Sequence, residues 1–163
     1  MEKIKWGIIG PGNIANNFAD GLKGSYSGQL VSIASKSEDR RKNFGDKYDI
    51  HPDFRFDSYE DIINSEHIDA IYISTPHTLH AEWTIKAAGK GKHILCEKPG
   101  AINFNEGKKI IDAVREAGVF YMEGFMYRCH PQIPKLVEII KNNIIGDVIS
   151  IETSFGFDMG KTI

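Results

Sequence analysis

Cysteine is scarce in this chain, with only Cys96 and Cys129 among 163 residues. They lie far apart and at no metal-ligand spacing, so neither a disulfide framework nor a zinc site is expected. Reduced thiols in a cytoplasmic protein are the simple reading. No apolar run approaches the ~20 residues that a membrane span requires. The opening MEKIKW passes directly into a glycine-rich turn, without the apolar core or cleavage site of a secretory signal. Neither sign of charge dominates, since 20 Lys and Arg face 22 Asp and Glu for a net charge of -2. That balance gives no broad attraction to nucleic acid or to an acidic membrane, and neither is expected as a partner. Internal repeats and low-complexity tracts are absent. What remains, at 41% hydrophobic and 26% charged residues, is a soluble globular composition. The length suffices for one full domain and falls short of two ordinary ones.

Short apolar runs alternate with helical stretches over most of the chain. Ile4 to Ile9, Leu30 to Ala34, Asp69 to Ser74, His93 to Cys96 and Val119 to Met122 read as buried strands, with Phe54 to Phe56 a shorter one. Helices are expected from about Asn13 to Leu22, from Ser37 toward Tyr48, near Tyr59 to Ile63, from Leu79 to Ala88 and from Glu106 to Ala117. Ile14, Phe18 and Leu22 mark one face of the first. Gly89, Gly91 and Gly118 stop the later ones. Such alternation predicts an α/β fold, a doubly wound parallel sheet of Rossmann type with helices on both faces. After Glu123 the pattern changes. Pro131 and Pro134 bracket the start of a helix running to about Asn142, and Val148 to Phe155 alternates as a long strand. Residues 1–124 therefore read as one domain, and 125–163 as the beginning of a second, α+β domain with an antiparallel sheet.

Gly10-Pro11-Gly12-Asn13-Ile14-Ala15 fits G-x-G-x-x-A. Gly10 permits the tight turn, Gly12 lets the backbone approach a pyrophosphate, and Ala15 is small enough for close packing of helix on strand. The motif is weak alone; here it follows a strand and opens a helix, whose N-terminal N–H groups and dipole attract phosphate. Competing readings are a glycine turn without ligand and an adenosyl-binding methyltransferase. The end of the second strand discriminates among dinucleotides. An NAD site places an acid there for the ribose hydroxyls. This chain has Ser35-Lys36-Ser37 with Arg40 and Arg41 beyond, and hydroxyls and cations attract a 2′-phosphate. The pattern favours NADP(H), with NAD(H) possible; the competing reading makes Lys36 and Arg40 a solvated helix face.

His93 to Pro99 places Glu97 and Lys98 at the C-terminal end of a buried strand, where ligands bind in open α/β sheets. A partly desolvated lysine there can exchange a proton with a substrate hydroxyl or carbonyl. In isolation the tripeptide would be an ordinary surface strand end.

Four segments, GIIGPGNIA, STPHTLHAEW, GKHILCEKPGA and YMEGFMYRCHPQ, resemble the Gfo/Idh/MocA oxidoreductases in order and spacing. The branch of dihydrodiol and xylose dehydrogenases is the most similar, and the likeness covers essentially the whole chain. The resemblance implies a Rossmann domain binding NAD or NADP, followed by an open antiparallel sheet that holds a sugar, polyol or cyclic diol. It implies Lys98 as the catalytic lysine, with Gly10, Gly12, Asn13 and Ile14 in the pyrophosphate turn. Lys36 and Arg40 match positions that hold a 2′-phosphate. Ser74, Thr75, Pro76 and His80 match the loop lining the nicotinamide ribose, with Glu97 beside it. Family members supply a second catalytic group, Tyr or His, from the C-terminal domain, and its position falls beyond Ile163. The chain thus reads as truncated: able to bind cofactor, poor in turnover, and in need of a partner or self-association, as a homo-oligomer, to cover the apolar face of Val148 to Phe155.

His77 and His80 could in principle share a metal, but only Glu82 stands near them and it suits a helix N-terminus, so no metal is expected. Phe120, Tyr121, Phe125, Met126 and Tyr127 form an aromatic cluster explained mostly by packing, with Phe125 to Arg128 able to face a cleft. Cys129 and His130 are adjacent without a third orienting group and read as structural. The activity expected is hydride transfer between NADP(H) and a secondary alcohol or its carbonyl. The alternative is a non-catalytic dinucleotide-binding regulator on the same fold.

Overall fold

The structure, a computed structural model, describes residues 2–156. β1 (Ile4–Ile9), β2 (Gly28–Ala34), β3 (Arg55–Phe56), β4 (Ala70–Ile73), β5 (His93–Cys96) and β6 (Tyr121–Glu123) form one six-stranded sheet in the order β3-β2-β1-β4-β5-β6. Every neighbouring pair runs parallel, including β1 beside β2. Between them lie α1 (Asn13–Lys23), α2 (Glu38–Lys47), α3 (Tyr59–Asn64), α4 (His80–Ala88) and α5 (Phe104–Ala117). The chain winds outward from β1 through β2 to β3, then returns to β1's other side for β4. That reversal makes β1 and β4 the switch point at which such sheets bind ligands.

α3, α4 and α5 cover one face of the sheet, α1 and α2 cover part of the other, and the strands' period of two divides the core between them. Ile9, Ala34, Ile71, Ile73, Ile94 and Cys96 meet Ile62, Trp83, Ala87, Ile110 and Val114 of α3, α4 and α5. Ile8, Ile33 and Tyr72 meet Ala15, Ala19, Phe44 and Tyr48, mostly from α1 and α2. Each buried isoleucine is worth roughly 1.5–3 kcal/mol relative to exposure, so these two layers fix the sheet. Side-chain oxygens of Ser37, Ser58 and Asn103 cap α2, α3 and α5. Gly118, with φ of 65°, ends α5 in the left-handed conformation that glycine adopts freely.

Contacts divide the chain after Gly124. The second unit contains a 3-10 turn at Met126–Cys129 and α6 (Gln132–Lys141). The expected strand from Val148 to Phe155 is not present. These residues carry no strand pairing, and alternation of side chains makes a strand only where a neighbouring backbone accepts the ladder of hydrogen bonds.

Candidate functional site

The last paired residues of the strands form one continuous row. Ala34 pairs with Ile9, Ile9 with Ile73, Ile73 with Cys96, and Cys96 with Glu123. The next residue of each strand extends the ladder by one step. Gly10, Ser74, Glu97 and Gly124 donate their amides to Ala34, Ile9, Ile73 and Cys96 at 2.7–3.1 Å, and Ser35 donates to Phe56 at 3.0 Å. The residues singled out in four distant sequence segments thus stand side by side at the carboxyl edge of the sheet.

At the centre of the row is the glycine turn. Gly10 has φ of 90°, and a Cβ there would lie 3.1–3.2 Å from the Ser74 and Thr75 backbone. The Ser74 hydroxyl donates to the Gly10 carbonyl at 2.7 Å and lies 3.2 Å from that of Ile9, which pins the turn to β4. Gly12 differs: a Cβ would meet no protein atom within 4 Å. It starts α1, which has no side-chain cap and no acid in its first turn. The exposed Asn13 and Ile14 follow it, so the first amides of α1 are presented beside open space, an arrangement suited to a phosphate. Beside the turn, Thr75 is 8% exposed and its hydroxyl oxygen has no hydrogen-bond partner among the described residues.

On the β2 side, Ser35 is buried and its hydroxyl accepts the Ser37 amide at 3.2 Å. Lys36 and Arg40 are exposed. The Lys36 ammonium lies 5.7 Å from the centre of the Tyr59 ring, and Arg40 influences the same phenol electrostatically. Both cations therefore border Tyr59 near the start of α2. Arg41 has another task, donating to the Ser35 carbonyl at 2.7 Å.

On the other side, Glu97 is held twice. Tyr72 donates to Oε1 at 2.7 Å, and the Lys98 amide lies 3.3 Å from Oε2. Burial, and then this bond, push the Tyr72 phenol well above its usual range, so it remains a donor. Lys98 is exposed, and its peptide bond to Pro99 is cis. His80 is only 1% exposed. Its Nδ1 lies 2.8 Å from the Pro99 carbonyl and its Nε2 2.8 Å from that of Thr75. The ring thus bridges the loop after β4 to the loop after β5 from beneath, whereas Pro76 and His77 are exposed. Both ring nitrogens of His80 are thus directed at backbone carbonyls of its own fold. Glu82 sits in the first turn of α4 and pairs with Lys86 at 2.7 Å.

Two contributors were not singled out in the sequence. Tyr72 lay inside an apolar strand, where a tyrosine passes for packing. Glu123 ends β6 and accepts the Gly100 amide at 2.7 Å. A carboxylate at a strand's carboxyl end was the available signal, the same one that marked Glu97. Cys96 is fully buried, and burial pushes its thiol up to about 12, which makes it inert.

Known proteins resemble this chain in sequence and fold. The model of the Gfo/Idh/MocA oxidoreductases, described by an NAD-binding Rossmann fold, matches residues 4–125. Trans-1,2-dihydrobenzene-1,2-diol dehydrogenase of Mus musculus is 32% identical over 158 residues, which are 96% of this chain and 47% of that protein. D-xylose 1-dehydrogenase (NADP(+)) 2 of Haloferax volcanii is 34% identical over 154 residues, 94% of this chain and 46% of that one. Among solved structures, the 3-ketoreductase KijD10 of Actinomadura kijaniata in complex with NADP superposes with a TM-score of 0.80 at 31% identity, over 90% of this chain and 46% of its own. A putative NADPH-dependent oxidoreductase from Desulfitobacterium hafniense gives a TM-score of 0.84 at 28% identity, over 90% and 42%. The chain spans about half the length of these relatives.

Proposed function

Because the chain belongs to the Gfo/Idh/MocA oxidoreductase family, we propose that it is the cofactor-binding half of an NADP(H)-dependent dehydrogenase or reductase. The observation that carries this reading is the row of strand ends, with an uncapped helix N-terminus at its centre and Lys98 along it. The residues present fit a dinucleotide. Gly12 leaves open space where the pyrophosphate needs backbone approach, and α1 offers its amides there. Ser35, Lys36 and Arg40 would hold a 2′-phosphate. Thr75 has an unengaged hydroxyl for the nicotinamide end, beside Ser74, Pro76 and Glu97. When bound, the cofactor would accept the hydride from an alcohol or donate it to a carbonyl.

The chain's own residues do the rest. His80 fixes the Thr75 loop, Tyr72 and Glu97 fix the base of Lys98, and the Lys98 ammonium exchanges a proton with the alcohol or carbonyl. The substrate is a sugar, polyol or cyclic diol with a secondary alcohol, in keeping with the diol and xylose dehydrogenases it resembles. Residues 125–163 are the start of a substrate domain that contributes a second acid/base group, Tyr or His. Orientation of two reactants can be worth ~7–11 kcal/mol of barrier, and a substrate domain would supply it by holding the alcohol against Lys98.

The test compares NADPH and NADH by calorimetry on the wild type and on Lys36→Ala. NADPH is expected to bind more tightly. A charge-assisted contact contributes roughly 1.5–3 kcal/mol, so the substitution weakens NADPH about ten- to a hundredfold and leaves NADH nearly unchanged. Equal wild-type affinities, or no selective loss, overturn the NADP assignment. Absence of binding by either cofactor overturns the function.

A further inference from the structure

Lys98 is exposed on a loop, and none of the hydrogen bonds or ion pairs of the described residues is made by its ammonium. Its direction must come from its backbone. That backbone is gripped at three successive residues by side chains from three different elements. The Lys98 amide lies against Glu97 Oε2 at 3.3 Å, the Pro99 carbonyl against His80 Nδ1 at 2.8 Å, and the Gly100 amide against Glu123 Oε1 at 2.7 Å. Glu97 comes from the end of β5, His80 from the start of α4 and Glu123 from the end of β6. The Glu123 contact is the shortest of the three and is charge-assisted on the acceptor side.

Gly100 is buried, and a Cβ there would collide with the Tyr121 hydroxyl and touch the Glu123 side chain. Tyr121 and Glu123 are two residues apart on β6, so they project from one face of the strand toward this loop. Burial foremost, and the neighbouring Cys96 and Glu123, raise the Tyr121 phenol, which remains neutral beside the carboxylate. The loop is therefore seated on β6, and Glu123 is what the Gly100 amide is seated on.

We propose that Glu123 is a positioning residue for Lys98: by accepting the Gly100 amide it fixes the loop that aims the ammonium at the nicotinamide site. The proposal rests on the reading of Lys98 given above. Removing the carboxylate leaves a buried amide without an acceptor, and the loop relaxes to find one. Lys98 then loses its fixed direction while the glycine turn at β1 is untouched.

Competitive acetylation with acetic anhydride reads this directly. Lys98 is followed by peptide mass spectrometry against the exposed Lys90 as internal reference, with and without saturating NADPH. In the wild type, NADPH is expected to protect Lys98 about tenfold or more, as a contact worth ~1.4 kcal/mol or more would give. Glu123→Ala reduces that protection severalfold at saturation. Glu123→Gln, which keeps an acceptor at the same reach, retains it. Glu123→Asp, which keeps the charge and loses the reach, behaves as alanine does. If the alanine variant does not fold, the comparison of Gln with Asp decides. Protection in Asp equal to that in Gln, or in Ala equal to the wild type, overturns the positioning role. Lack of protection in the wild type overturns instead the placement of Lys98 at the cofactor, and with it the proposal.

Discussion

Tyr72 and Tyr121 stand on β4 and β6, the two strands that flank β5, and neither ionises in the usual range. Burial is the main cause for both, and for Tyr72 the bond to Glu97 adds to it. Burial also raises Tyr59, with Arg40 opposing. A phenol whose folded pKa lies above its unfolded value of about 10 contributes stability that is complete below pH ~10. The folded state then holds more protons than the unfolded one, so stability falls as pH rises above that point. Of the six tyrosines, Tyr59, Tyr72 and Tyr121 are expected to resist ionisation in an absorbance titration of the native protein and to titrate once it unfolds. Tyr72→Phe should flatten part of the alkaline loss of stability seen in denaturant melts. Simultaneous titration of all six in the folded state would contradict the burial argument. At the same scale, Cys96 is buried and Cys129 is exposed.

The strand-turn-helix unit from β1 to α1 separates fold from function between two glycines. Gly10 serves the fold, because its φ of 90° and its distance of 3.1 Å from the Ser74 backbone exclude a side chain. Gly12 has ordinary φ and open space around its missing side chain, so the protein itself does not need it. Gly10→Ala is therefore expected to lower stability by about 1–3 kcal/mol in urea melts, through backbone strain and crowding together. Gly12→Ala should melt like the wild type and bind NADPH more weakly in calorimetry, because the methyl group occupies the open space proposed for the pyrophosphate. A Gly12→Ala variant with full affinity would show that the phosphates do not approach this turn.

Large apolar side chains remain uncovered in each of the two units. In the first, Trp6, Leu95, Phe120 and Met122 are among the residues lining an open apolar groove of about 450 Å3. In the second, Ile133, Leu136, Val137 and Ile140 recur at helical spacing along α6 and are all exposed, and Ile149 and Ile151 follow them. Large exposed apolar patches on soluble proteins mark interaction surfaces. The chain is expected to self-associate, with a sedimentation coefficient that rises from low to high micromolar concentration. Leu136→Glu combined with Ile140→Glu should reduce that rise. A concentration-independent monomer would show that these surfaces need no cover.

The sequence by itself determined the fold class and named most residues of the candidate site. Apolar runs of strand length between helical periods leave few alternatives to a doubly wound sheet, and the β1–Gly10–α1 unit was legible because its chemistry is local. Lys98 and Glu97 were legible for the same reason, as charges at the end of a buried strand. Tertiary structure decided what depends on register and on elements distant in sequence. It put Gly10, Ser74, Glu97 and Gly124 in one row, which requires the pairing of β1, β4, β5 and β6. It also assigned His80 to two backbone carbonyls and Glu123 to the Gly100 amide. Those partners lie 19 and 23 residues apart for Pro99–His80 and Gly100–Glu123, and no local pattern encodes them. Val148 to Phe155 shows the same limit from the other side. Its alternation is a local property, whereas a strand is a property of two backbones, and among the described residues the second backbone does not lie beside it.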